Sequence, residues 1–142
     1  MSGQTAPTSS SPGALTDAKD RAVSAAQAAD DKQGADPTVL EVGEIIAITE
    51  YFVVTGAPNA RQVRTIVEEI ERRIRDESGE SPRSIEGMSD ATWVLLDYGD
   101  VIVHVFLGDA REYYDLERLW ADAPRIDWSR PHEAAGGTAR PA

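Results

Sequence analysis

The chain contains no cysteine, so disulfides, thiolate nucleophiles and cysteine-based zinc sites are excluded. No apolar run approaches the ~20 residues that a membrane-spanning helix requires. The first residues show neither a charged-then-apolar signal pattern nor an Arg-rich transit pattern, so the expected location is cytoplasmic. Basic charge is scarce: 14 Lys and Arg face 25 Asp and Glu, a formal charge of −11. A surface that tracks a nucleic-acid backbone needs clustered Lys and Arg, so direct nucleic-acid binding is not expected. A basic partner, or none, suits the charge better. A Gly-rich nucleotide loop is also missing, and no Ser sits at a strand-to-helix elbow.

What is present centres on Thr92 to Phe106. Trp93 to Leu96 and Val101 to Phe106 are apolar, β-branched runs. Gly99-Asp100 between them suits a two-residue hairpin turn with glycine at positive φ, a type II′ turn. Strand residues alternate faces. Val94, Leu96, Tyr98, Val101, Val103 and Val105 therefore share a purely apolar face. Trp93, Leu95, Asp97, Ile102, His104 and Phe106 share the other, which mixes apolar groups with a carboxylate and an imidazole.

The charge is concentrated around this hairpin. From Glu86 to Asp122 there are nine acids and two bases, −7 of the total −11. Such a run is either a solvated surface or the complement of a basic protein.

Along the chain, residues 1–14 are rich in Ser, Thr, Pro and Gly and should be disordered. Thr16 can cap a helix running to about Asp31, whose many alanines favour helix but bury little, so weak anchoring is expected. Gly34 to Pro37 ends it. Thr38–Val42 and Tyr51–Thr55 read as strands, the second continuous enough to be buried on both faces. Asn59 with Gln62 starts the clearest helix. Its stripe is Val63, Ile66, Val67, Ile70 and Ile74, and Glu68-Arg72, Glu69-Arg73 and Glu71-Arg75 stand at i,i+4 on its polar face. Pro82–Glu86 is a third strand before the hairpin. A last helix follows Gly108-Asp109, with Tyr113, Leu116 and Trp120 on one face, and Pro124 stops it. Residues 15–126 form the expected domain, with tails at 1–14 and 127–142. The fold class is α/β: a mixed sheet of about five strands flanked by helices, in the order α-β-β-α-β-β-β-α.

Asp97, Asp100 and His104 are the one close acid-plus-His set. A divalent metal or a nucleotide-dependent enzyme could use them. Carboxylates bracketing a turn more often bond backbone N–H groups, and a strand His is more often structural. Metal ligation and catalysis are therefore not expected, and no cofactor is assigned.

Several motifs in one order resemble the ribosomal silencing factor (Iojap-like) family. They are Leu40-Glu41-Val42, Thr49 through Gly56, Asn59-Ala60-Arg61-Gln62-Val63, Glu86-Gly87, Trp93 through Phe106, and Arg111 through Trp120. The resemblance spans roughly residues 16–126. It implies a nucleotidyltransferase-like fold without enzyme activity. It also implies binding to the large ribosomal subunit through its fourteenth protein, which blocks joining of the small subunit and represses translation under nutrient limitation. A homodimer is left open. The contact surface expected from the hairpin is Trp93, Leu95, Asp97, Tyr98, Asp100 and His104, with Trp93 as its apolar anchor.

Overall fold

The computed structural model describes residues 17–129. The tail expected at 1–14, residues 130–142 of the tail expected at 127–142, and Thr16 as a helix cap lie outside the described residues.

The first helix, α1, spans Ala18–Asp31 and is capped by Asp17, whose carboxylate accepts from the Asp20 N–H at 2.8 Å. The weak anchoring expected of its alanines is not what forms. Ala22, Ala25, Ala26, Ala28 and Ala29 are fully buried, and the helix lies against both the sheet and the second helix. Small side chains let the helix body approach closely, so the backbone cylinder itself is packed. Polar ties add to this. Arg21 donates twice to Asp100 at 2.5 and 2.8 Å, Ser24 donates to Glu77 at 2.6 Å, and Asp31 pairs with Arg73 at 2.7 Å.

Strand β1 (Ala35–Glu41) pairs antiparallel with β2 (Tyr51–Ala57), all seven residues of which are buried, as its continuous apolar run predicts. Helix α2 (Ala60–Ser78) follows. The Asn59 side chain accepts from the Gln62 N–H at 2.8 Å, and Gly79 at φ 77° ends the helix. Val63, Ile66, Val67, Ile70 and Ile74 are fully buried. Of the three expected i,i+4 pairs, Glu69–Arg73 forms, at 2.7 Å. Glu69 also binds Arg72, and Arg72 reaches Asp76 instead of Glu68.

Strands β3 (Ser84–Glu86), β4 (Trp93–Asp97) and β5 (Val101–Leu107) complete one half of the sheet. The strand order is β3-β4-β5-β2-β1-β6, with β2 and β5 parallel and the other pairs antiparallel. The sheet has six strands where about five were expected. The sixth, β6 (Arg125–Ile126), is two residues beside Val39 and Leu40, too short to leave a periodic pattern. Just beyond it the Trp128 indole donates to the Pro37 carbonyl at 2.7 Å. The domain boundary drawn after residue 126 therefore cuts through packed structure.

The single C-terminal helix divides into α3 (Ala110–Tyr114) and α4 (Leu116–Leu119), because Asp115 adopts φ 50°. Tyr113 and Leu116 consequently do not share a face: Leu116 is buried and Tyr113 is 81% exposed.

The sheet separates two cores. Under α1 and α2 lies the larger, which takes Val94, Leu96, Tyr98, Val101, Val103 and Val105 from the hairpin, the division expected from alternation. The opposite face carries a smaller core of Leu40, Val42, Phe52, Val54, Phe106, Leu116 and Ala123. Among the described residues α3, α4, the segment just after α4 and the 42–50 loop cover it, and Trp93, Ile102 and Trp120 lie at its margin.

Candidate functional site

The hairpin closes through Gly99-Asp100, with Gly99 at φ 89° and the Tyr98 N–H donating to Val101 O at 2.9 Å. Its register places Trp93 opposite Phe106, Leu95 opposite His104 and Asp97 opposite Ile102. Directly opposed residues project to the same face, so Trp93, Leu95, Asp97 and His104 stand together over the smaller core.

Aromatic rings run across that face. Trp93 lies 4.5 Å from Tyr114 and 5.1 Å from Phe106, centroid to centroid, and Tyr114 meets Tyr113 edge-on at 5.0 Å. Deeper in, His104 meets Phe52 edge-on at 4.8 Å, and Phe52 meets Trp120 at 5.7 Å. The outer rings are open to solvent, Tyr113 at 81% and Tyr114 at 44%, and Leu119, Ile45 and Ile48 of the covering segments are exposed as well. Exposed aromatic rings packed against one another on one side of a sheet are characteristic of an interface.

His104 supports the anchor from beneath. The Trp93 Nε1–H donates to its Nδ1 at 3.1 Å, so the neutral ring carries its proton on Nε2. That nitrogen is buried without a partner among the described residues. Burial in this apolar layer pushes the imidazole pKa down to about 4. His104 is therefore a neutral support for the Trp93 indole, 4% exposed, and not itself a surface group.

Two expected contact residues lie elsewhere. Tyr98 projects into the larger core, 6% exposed, with its hydroxyl buried and unpartnered among the described residues. Burial pushes its ionisation up. Asp100, expected on the contact surface, is gripped by Arg21, whose hydrogen bonds hold the carboxyl below the usual range. Asp97 bonds the local backbone, accepting from the Gly99 N–H at 2.7 Å. Asp97, Asp100 and His104 thus do not converge, and among the described residues no cluster of three or more His, Asp or Glu is placed to hold a metal.

Of the nine acids from Glu86 to Asp122, Asp100 and Glu117 are held by Arg21 and Arg111. The other seven form no ion pair among the described residues. Arg111 is wholly engaged. It donates to the carbonyls of Ala35 and Asp36 at 2.7 and 2.9 Å and to Glu117 at 2.7 Å, fastening α3 and α4 to β1.

Sequence reasoning missed the exposure of Tyr113, Tyr114 and Leu119. A signal existed: adjacent helical residues point about 100° apart. Two consecutive tyrosines on a five-residue helix therefore face different directions, and a single thin contact cannot cover both.

The chain matches the family described as "RsfS: Ribosomal silencing factor during starvation" over residues 15–141. Ribosomal silencing factor RsfS of Bacillus subtilis is 44% identical over 103 residues, covering 72% of this chain and 86% of that protein. A more distant relative, "Mitochondrial assembly of ribosomal large subunit protein 1" of mouse, is 29% identical over 60% of this chain and 38% of its own length. Among solved structures, protein CV0518 of Chromobacterium violaceum superposes with a TM-score of 0.70 at 30% identity, covering 75% of this chain and 88% of that one. Sequence and fold together show that this chain belongs to the ribosomal silencing factor family.

Proposed function

We propose that the protein binds the large ribosomal subunit through that subunit's fourteenth protein and sterically excludes the small subunit, lowering translation when nutrients are scarce. It would act in the cytoplasm as a regulator, making and breaking no covalent bond. The observation that carries this reading is the half-covered sheet face, where Trp93, Tyr114 and Tyr113 form a continuous aromatic row open to solvent, with Leu119 exposed on the next helix. The family supplies the ribosome as partner, and the mouse relative's name points to the large subunit. Of the hairpin residues, Trp93, Leu95 and Asp97 would touch the partner, with His104 beneath them. Tyr98 and Asp100 hold the hairpin to the body of the fold. The unpaired acids suit a basic ribosomal protein.

Co-sedimentation with isolated subunits tests the reading. The protein should pellet with large subunits and not with small ones. Tyr113→Ala and Leu119→Ser alter exposed groups, so their melting should stay near that of the parent. Each should lower large-subunit binding by about tenfold or more. Equal pelleting with both subunits, or full binding by both folded variants, would overturn it.

A further inference from the structure

Beside the aromatic row, at the β3–β4 edge of the sheet, lies a cavity of about 300 Å³ lined by Glu86, Gly87, Trp93 and Leu95. It is a built feature. Gly87 sits at φ 90°, and a Cβ there would come within 2.1 Å of the Trp93 carbonyl oxygen, so only glycine allows the loop to fold this closely onto β4. Arg64, reaching over from α2, donates to the Met88 carbonyl at 2.9 Å and to the Ser89 carbonyl at 2.8 Å. The Ala91 N–H donates to Gly87 O at 2.9 Å and closes the turn. The wall is therefore in place before any partner arrives.

The lining has a definite chemistry. Glu86 stands directly opposite Leu95 in the β3–β4 register, so its carboxylate shares a face with Leu95 and Trp93. Ser84 opposes Asp97, which places a second carboxylate one step further along the same edge. Neither acid is in an ion pair among the described residues, and Glu86 is exposed. A half-buried indole and a leucine offer an apolar wall, and a free carboxylate stands at their margin.

We propose that this cavity is the subsite for one arginine side chain of the protein partner, its methylene stem lying on Leu95 and Trp93 and its guanidinium meeting Glu86. An indole face attracts a guanidinium, and a carboxylate matches its fork of donors. An aliphatic side chain would leave the carboxylate unused, and an acidic one would be repelled by it. The subsite rests on the docking face proposed above and makes that face selective, since a like-charged partner is rejected at this point.

The test is binding of isolated large subunits to the full chain and its variants, each first checked for an unchanged melt. Glu86→Gln alters an exposed side chain and removes only the charge. It should weaken binding about tenfold or more and lessen its salt dependence. Leu95→Trp fills the cavity and should weaken binding as much while keeping every acid. Glu86→Arg should abolish binding, and one Arg→Glu change in the fourteenth large-subunit protein should restore it. If Glu86→Gln and Leu95→Trp bind like the parent while Tyr113→Ala does not, the subsite is wrong and the docking face stands. If Tyr113→Ala also binds normally, the docking face falls and the subsite falls with it.

Discussion

His104 ties the stability of the protein to pH with a sign that can be worked out in advance. In the unfolded chain the imidazole takes a proton near its ordinary value of 6.5, whereas in the fold it does so only at about 4. Between those values the unfolded state binds more protons, so stability falls as pH falls. The contribution is intact above the unfolded value and lost as pH drops to the folded one. At about pH 5 the loss amounts to roughly 2 kcal/mol for a shift of this size. Carboxylates contribute little in that interval, because the stability that Asp100 and Glu69 gain from the hydrogen bonds of Arg21 and Arg72 is lost only as pH falls through the ordinary carboxylate range and below it. The assay is urea unfolding near pH 7.5 and pH 5, on the parent and on His104→Phe, which keeps a ring against Phe52 and Phe106. The parent should lose about 2 kcal/mol more than the variant between the two conditions. His132 is common to both proteins and cancels. Equal losses would show that His104 titrates normally and that its layer is wet, which would also undo its assignment as a neutral support for Trp93.

Asp100→Asn should destabilise the fold by about 2 kcal/mol or more, because it strands a guanidinium that is 7% exposed. The double change Arg21→Met with Asp100→Leu should recover most of that loss in thermal melts, since an apolar pair can replace a buried ion pair. Association with large subunits, followed by stopped flow, should slow as ionic strength rises, because exposed charges are screened beyond ~8 Å at physiological salt. A rate independent of salt would mean that the seven unpaired acids are only solvated.

Local chemistry made much of the fold legible in the sequence. Asn59 and Gln62 announced α2, and the even-numbered and odd-numbered residues of the hairpin went to the faces that alternation assigns. Where the reading failed, the cause was tertiary. Alanines in α1 carry no hydrophobic signal, yet they pack because the sheet and α2 come close enough to touch a methyl group. Asp115 tolerates positive φ better than most residues, but no glycine or proline beside it marks the turn it makes there. Leu116 then points inward on α4, and the tyrosines of α3 stay outside. The site was half legible for the same reason. Alternation grouped Trp93, Leu95, Asp97 and His104, but Arg21, 79 residues away in sequence, decided what Asp100 does.

That long-range pairing divides the work between the two faces of the sheet. On one side α1 and α2 cover the strands, and the charges among them are matched: Arg21 with Asp100, Arg73 with Asp31 and Glu69. On the other, helices of five and four residues cannot cover the same area, and the aromatic row is left open. Arg111 makes this thin cover stiff by holding α3 and α4 to β1 through two carbonyls and Glu117. Glu86 and Asp97, at the edge of the open face, stay without ion pairs among the described residues. A protein that needed only to fold would gain by covering Tyr113 and Leu119 or replacing them with polar groups. Stability is thus concentrated where Tyr98 and Asp100 point, and the proposed recognition where Trp93 and Leu95 point. Substitutions on the two faces of one hairpin should accordingly separate the two properties.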